Sequence, residues 1–81
     1  MKHELKILPC YFQDVWDGKK TFELRRDDRD FQVGDLLILR EWDNMTQMYT
    51  GSALVVEVTY ILRNAPQYGL ENGYCIMSIK R

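Results

Sequence analysis

The stretch from Gly18 to Asp35, GKKTFELRRDDRDFQVGD, decides how this sequence is interpreted, because it places a cluster of polar residues on a short segment with strand periodicity. Within it, Phe22 and Leu24 alternate with polar residues. Successive side chains of a strand point to opposite faces, so we predict that Phe22 and Leu24 pack in the core of a strand over residues 21–26. The polar residues of the other face are Thr21, Glu23 and Arg25.

Glu23 and Arg25 are two residues apart on this predicted strand. With a rise of about 3.3 Å per residue, they lie about 7 Å apart along one face, which is close enough to pair or to hold one ligand together. The alternative is an exposed ion pair with no ligand, which is worth only about 0–1 kcal/mol.

The remaining sequence predicts one early helix and four more strands. Residues His3–Ile7 alternate as a strand, and Pro9 suits the first turn of a helix whose apolar stripe ends before Gly18, a C-terminal cap. A tight turn at Val33-Gly34-Asp35 precedes the later strands. These are a central strand covered on both faces (Leu36–Trp42), its hairpin partner (Ala53–Leu62) and a final strand (Tyr74–Lys80).

Two further expectations concern the second half of the chain. In the hairpin partner, one face is expected to be apolar, formed by Leu54, Val56, Val58, Tyr60 and Leu62. Residues 63–72 contain Pro66 and Gly69 and are expected to be irregular, with at most a short turn of helix. The predicted fold is therefore mainly β with one or two helices, arranged as a small, partly open antiparallel β-barrel with a helix flanking a cleft.

Length and composition restrict the classes of protein to consider. A chain of 81 residues supports one domain, residues 1–81, and 46% hydrophobic residues suit a folded one. The net charge of −1 argues against nonspecific coating of nucleic acid. No apolar run is long enough to span a bilayer, and Glu4 and Lys6 interrupt any signal-like segment, so we expect a cytoplasmic protein without membrane contact. Cys10 and Cys75 lack metal-site spacing, so we expect reduced thiols and no metal.

The segments GKKTFELR (18–25) and DFQVGDLLIL (30–39) resemble the signature of ASCH domains, a branch of the PUA-like superfamily. More narrowly, the chain resembles a group of short bacterial and phage proteins within that superfamily. The resemblance implies a PUA-like β-barrel with a helix beside a cleft, and a ligand that is RNA or nucleotide-like. It also implies that Lys20, Glu23 and Arg25 occupy the charged positions of the family strand, and that Lys6 borders the same cleft.

Some ASCH relatives are amidohydrolases that remove an acyl group from a modified cytidine with a lysine, a threonine and a glutamate. By this resemblance Lys20 falls on the lysine position. Glu23 occupies the threonine position, while Thr21 lies two residues earlier. The third group has only candidates here, Glu57 and Glu71.

The sequence therefore leads to three hypotheses. The first, which we favour, is a non-catalytic module without cofactor or metal that binds RNA or a nucleotide-like molecule. Its site residues are Lys6, Lys20, Glu23 and Arg25, and its candidates for stacking a base are Tyr11, Phe31 and Tyr68. The second is a hydrolase of acylated or modified nucleosides that uses Lys20, Thr21 and Glu23. The third is a protein-interaction domain whose contact surface is Trp42, Met45, Met48 and Tyr49.

Overall fold

The computed structural model describes residues 1–81 and confirms a mainly β fold with one α-helix. The elements are β1 (Lys2–Ile7), α1 (Pro9–Trp16), β2 (Phe22–Arg26), β3 (Leu36–Asp43), β4 (Met48–Leu62), a 3₁₀ turn (Pro66–Tyr68) and β5 (Tyr74–Lys80). No helix of this chain combines the length and the apolar character needed to cross a membrane.

The five strands form one curled sheet, a half-barrel, in the order β1-β3-β4-β5-β2. Every ladder is antiparallel except β1–β3, which is parallel and so differs from the small antiparallel barrel that the sequence predicted. A parallel pair needs a crossover connection between its strands, and α1 with β2 supplies it. The strands β1 and β2 are consequently the two edges of the sheet.

One buried cluster of 13 residues forms the core on one face of the sheet. In β1 the predicted alternation is confirmed, because His3, Leu5 and Ile7 are buried and the residues between them are exposed. The central position of β3 is also confirmed, although Leu37 and Leu39 are fully buried while Leu36 and Ile38 on the outer face are only partly covered.

The helix α1 covers the core face of the sheet. Pro9 occupies its first turn, where a missing N–H removes no helical hydrogen bond, and Phe12 and Val15 point into the core. Gly18 follows with a left-handed backbone (φ 78°), which a glycine adopts without steric cost. This turn ends the helix and leads the chain directly into the residues before β2.

The face prediction for β2 is wrong. Glu23 lies opposite Met77 of β5, whose side chain is buried, and is itself only 2% exposed. Phe22 and Leu24 point instead to the outer face, with 47% and 54% of their surfaces exposed. Alternation alone does not say which of two faces is buried, and a buried carboxylate is tolerated where cations pair with it, as they do here.

The face prediction for β4 holds only for its first part. Leu54, Val56 and Val58 are buried, but the register with β5 shifts between Val58 and Tyr60. This bulge inserts an extra residue, so the alternation reverses beyond it: Ile61 packs against the core and Tyr60 is 61% exposed. The strand also begins at Met48, earlier than predicted, and its pairing with β3 has a second register shift between Arg40 and Trp42.

Asp35 fastens the start of β3 to the start of β1. Its carboxylate is buried, lies 2.8 Å from His3 Nε2, and accepts hydrogen bonds from the backbone N–H of Gln32 and from the amino group of Met1. The hydrogen bond with His3, followed by that from Gln32, lowers the pKa of Asp35 from 3.8 to about 2. Gly34 makes the preceding turn with a positive φ of 97°, as predicted for this position.

We predict that Asp35→Asn destabilises the protein in a pH-dependent manner. The unfolded carboxyl group takes up its proton near pH 3.8 and the folded one near pH 2. The stabilisation by Asp35 is thus complete above about pH 4 and is lost as the pH falls toward about 2. Urea unfolding of both proteins at several pH values should show a difference in unfolding free energy that narrows by about 1–2 kcal/mol over this range.

The matched control is Asp28→Asn, which changes an exposed loop carboxylate. A stability difference between wild type and Asp35→Asn that stays constant from about pH 6 to about pH 2 would contradict the assigned role of Asp35.

Candidate ligand-binding cleft

The half-barrel is open between its edge strands, β1 and β2. On β2, the backbone groups of odd-numbered residues bond to β5, since Thr21 accepts from the N–H of Ile79 at 3.0 Å and Asp27 donates to Gly73 at 2.8 Å. The ladder has no register shift between these points, so the backbone groups of the even-numbered residues face the opening.

Two arginines bridge the opening through side-chain hydrogen bonds. Arg25 donates from Nη2 to the carbonyl oxygen of Lys6, and Arg29 donates from Nη1 to that of Glu4, each at 2.8 Å. Leu36 donates its backbone N–H to the carbonyl oxygen of Met1, so the odd-numbered residues of β1 bond to β3 and the carbonyls of Glu4 and Lys6 face the opening. The arginines therefore occupy carbonyls at the edge of β1 that a further strand would otherwise use.

A cavity of about 440 Å³ lies at one end of this opening. It is bounded by the end of β1, the start of α1 and the edge of β2. The residues lining it are Lys6, Ile7, Leu8, Tyr11, Lys20, Phe22, Glu23, Leu24 and Arg25. All four residues that the sequence proposed as a ligand site, Lys6, Lys20, Glu23 and Arg25, are thus brought together around one cavity.

Glu23 organises the two cations beside it. One carboxylate oxygen accepts from Lys20 Nζ and the other from Arg25 Nε, the latter at 2.7 Å. Lys20 also donates to the carbonyl oxygen of Phe22 at 2.7 Å. The side chains of Lys20 and Arg25 are only 15% and 24% exposed, so both cations are held in fixed positions at the cavity wall.

The turn after α1 determines where Lys20 lies. The backbone N–H groups of Lys19 and Lys20 both donate to the carbonyl oxygen of Asp14, at 2.9 and 3.0 Å. This arrangement follows the left-handed Gly18 and turns the chain back toward the helix. It allows Lys20 to reach Glu23, whereas residues three apart in a regular strand point to opposite faces.

The cavity carries an excess of positive charge. Lys6, Lys20 and Arg25 contribute three cations and Glu23 one carboxylate, which leaves a formal charge of +2. Lys6 forms no ion pair, and Lys20 and Arg25 keep donors beyond those used in their bonds, because an ammonium has three and a guanidinium five. The site therefore suits an anionic group such as a phosphate or a carboxylate.

The cavity also has an apolar and aromatic wall. Tyr11 is half exposed there. The rest of this wall is supplied by Phe22 and Leu24, which turn away from the core, and by Ile7 and Leu8. The ammonium of Lys20 lies 4.9 Å from the ring centre of Phe22 and 5.9 Å from that of Tyr11. A planar ring of a ligand can lie against these side chains while an attached anion contacts the cations.

Several residues that the sequence suggested as catalytic groups do not line the cavity. Thr21 lines a separate depression together with Lys20, Ile79 and Arg81, and it does not line the cavity that Glu23 lines. Neither carboxylate considered as a third catalytic group, Glu57 or Glu71, lines it either.

The three aromatic residues proposed to stack a base lie in different environments. Phe31 is 1% exposed and packs its ring against His3 at a centroid distance of 4.7 Å, so the hypothesis that it stacks a base is wrong. Tyr68 is exposed but does not line the cavity, which leaves Tyr11 as the sequence candidate that does.

The loop between β2 and β3 is held by its own polar contacts. Arg63 donates to both carboxylate oxygens of Asp27, at 2.7 and 3.3 Å, and to the carbonyl oxygen of Phe31 at 3.0 Å. Asp30 has a positive φ of 50° and accepts from the Gln32 side chain at 3.0 Å. Asp27 and Arg63 thus fix the loop that carries the bridging Arg29.

No group of three His, Cys, Asp or Glu side chains is placed to hold a metal ion.

Sequence reasoning did not find the cation–π cluster beside the cavity. Lys6 Nζ lies 4.0 Å from the ring centre of Trp42, which contacts Tyr49 edge to face at 4.9 Å. The guanidinium of Arg40 lies 4.0 Å from the ring centre of Tyr49. The register Lys6↔Arg40 between β1 and β3 creates this cluster, and that parallel pairing has no signal in the local sequence.

The fold and the cleft together define a small β half-barrel protein with a cationic, partly aromatic site between its edge strands. The chain belongs to the family described as "Domain of unknown function (DUF3850)", which matches residues 2–79. It is also similar to a protein of Escherichia phage P2 described as "Uncharacterized 12.9 kDa protein in GpA 3'region", with 40% identity over 57 residues. The match covers 70% of this chain and 50% of the phage protein, so the chain spans about half the length of this curated relative.

We predict that Glu23→Gln destabilises the fold by about 1–3 kcal/mol. The amide keeps the shape but leaves Lys20 and Arg25 close together without a carboxylate between them, and both cations are partly exposed, which limits the penalty. Urea unfolding measures the change. The control is Glu57→Gln, an exposed glutamate on the outer face of β4, which should alter stability by less than about 0.5 kcal/mol. Equal effects of the two variants would show that Glu23 is not the organising carboxylate.

Proposed function

We propose that this protein is a non-catalytic module that binds RNA or a nucleotide-like ligand in the cleft between β1 and β2. The observation that carries the proposal is the buried Glu23 holding Lys20 and Arg25 in place against an aromatic wall. A nucleotide combines an anion with a planar ring, and the cleft offers fixed cations beside Tyr11 and Phe22.

The size of the cavity supports a small ligand or one unit of a polymer. Its volume of about 440 Å³ lies within the range of about 300–1,000 Å³ that is typical of small-molecule sites.

We further propose that the family falls within the ASCH branch of the PUA-like superfamily, on the resemblance of residues 18–25 and 30–39, and that the protein acts in the cytoplasm. The mainly β half-barrel with a helix beside the cleft is compatible with that assignment.

Binding is favoured over hydrolysis by the placement of the candidate catalytic groups. Thr21, the candidate nucleophile, shares a separate depression with Lys20, and Glu23 does not line that depression, so the three candidate catalytic groups do not meet around one cavity. Glu23, the candidate general base, uses both carboxylate oxygens to accept from cations.

We predict that Lys20→Gln and Arg25→Gln each weaken binding of a nucleoside monophosphate or of short single-stranded RNA at least about tenfold, because each removes a charge-assisted hydrogen bond. Isothermal titration at low salt measures the affinity, which should fall as salt is raised. Arg29→Gln is the matched control, since Arg29 bridges to β1 in the same way but does not line the cavity.

If Lys20→Gln and Arg25→Gln leave the ligand affinity unchanged, the ligand does not bind in the cleft. The same result follows if Arg29→Gln is as damaging as Arg25→Gln, since the effect then comes from closure of the half-barrel rather than from ligand contact.

We also predict no turnover of N-acylated cytidine by the wild-type protein above the rate seen with Lys20→Gln. Chromatographic detection of released cytidine measures this rate. Turnover that depends on Lys20 would show that the cleft is an active site.

A further inference from the structure

The surface beside the cleft carries a second set of cations and aromatic rings. On the outer face of β1 and of the β3–β4 hairpin, Lys6 lies over Trp42 and Arg40 lies over Tyr49, with ring-centre distances of 4.0 Å in both pairs. Trp42 is partly exposed and Tyr49 is 39% exposed. We name Arg40, Trp42 and Tyr49 the hairpin platform.

Lys6 connects the hairpin platform to the cleft. It lines the cavity, and its ammonium contacts Trp42. It lies directly opposite Arg40 in the parallel β1–β3 ladder, so the two cations are neighbours on one face. The cleft and the hairpin platform are therefore parts of one continuous surface.

The charge of the hairpin platform is only weakly compensated. Arg40 has one carboxylate partner, Glu4, at 3.7 Å, and both side chains are well exposed, so this pair contributes little. Lys6 forms no ion pair. A cationic surface of this kind suits a ligand with negative charge at this point.

The same combination occurs on the other side of the cleft, where Lys20 lies over Phe22 and Tyr11. Cations paired with aromatic rings thus flank the cavity on two sides. Single-stranded nucleic acid alternates phosphates with bases, and proteins bind it with cationic grooves and with aromatic or guanidinium planes on which bases stack.

From this continuity we infer that the ligand is a single-stranded nucleic acid of at least two nucleotides, with one nucleotide in the cleft, a phosphate at Lys6 and a neighbouring base on the hairpin platform. The inference rests on the proposed function of the cleft, and it specifies that the ligand is a strand of nucleotides and not a single nucleotide. Arg40 lies over the ring of Tyr49 and has a 43% exposed side chain, so it offers the outer face of its guanidinium plane to the second base while Tyr49 supports it from below.

A chain-length series of oligouridylates tests this inference. Uridine monophosphate, the dinucleotide and the tetranucleotide are titrated into the wild-type protein by calorimetry. We expect the tetranucleotide to bind about tenfold or more tightly than the monophosphate, since a stacked base adds about this factor. In Tyr49→Ala and in Arg40→Gln the ratio of the two affinities should fall by about fivefold or more. The control is Tyr68→Ala, an exposed tyrosine that does not line the cavity and should leave the ratio unchanged.

Tryptophan fluorescence gives a second readout that needs no change in the hairpin platform. The chain has two tryptophans, and Trp16→Phe leaves Trp42 as the reporter. Trp16 lies at the end of α1 and packs against Phe12 and Arg81. We expect the tetranucleotide to quench Trp42 strongly and the monophosphate to quench it little.

The same titrations with deoxyuridylates test whether the sugar matters. If deoxyuridylates bind as tightly as uridylates, the ligand is any single strand, and if they bind more weakly, the ligand is RNA.

The outcomes separate the two proposals. If the monophosphate binds but the tetranucleotide binds no more tightly, the inference is overturned and the cleft proposal stands. If neither binds, both are overturned. If the tetranucleotide gains affinity but neither quenches Trp42 nor responds to Tyr49→Ala, the strand does not follow this path, and the hairpin platform becomes a candidate protein contact instead.

Discussion

The structure of the site depends on one buried carboxylate, Glu23, held between Lys20 and Arg25. Without these partners a carboxylate on the core face would carry a large desolvation penalty. With them, Glu23 fixes two cations whose long side chains would otherwise be mobile, so part of the entropic cost of ordering a binding site is met when the chain folds. The same residue therefore links the packing of β2 to the charge of the cleft.

The topology of the sheet explains why the cleft exists. The parallel β1–β3 pair and the position of β2 beside β5 put the first two strands of the chain at opposite edges of the half-barrel. Arg25 and Arg29 bridge these edges by side-chain hydrogen bonds rather than by a strand ladder, and a cavity remains at one end. Edge strands are usually protected from pairing with other chains, and here charged side chains at the opening give that protection and line the site at the same time.

The order and type of the elements were predictable from local patterns, such as the alternation in β1 and the Pro9 and Gly18 boundaries of α1. The structure also brings the four proposed site residues around one cavity. Alternation predicted only that Glu23 and Arg25 share a strand face, whereas Lys6 and Lys20 were proposed from the family resemblance. Which face of β2 is buried was not predictable, because the cations that make a buried Glu23 acceptable come from the turn at Lys20 as well as from the strand. The bulge after Val58 and the pairing of Lys6 with Arg40 depend on contacts between distant segments, which periodicity does not report.

The central claim is that ligands enter the cleft between β1 and β2. A titration of the ¹⁵N-labelled protein with short single-stranded RNA at low salt, followed by backbone amide resonances, tests it most directly. If ligands enter the cleft, the shifts cluster at Lys6, at Tyr11 and across residues 20–25, and they diminish as salt is added. Shifts confined to other surfaces, such as the 3₁₀ turn at Pro66–Tyr68, or a spectrum that does not change, would contradict it.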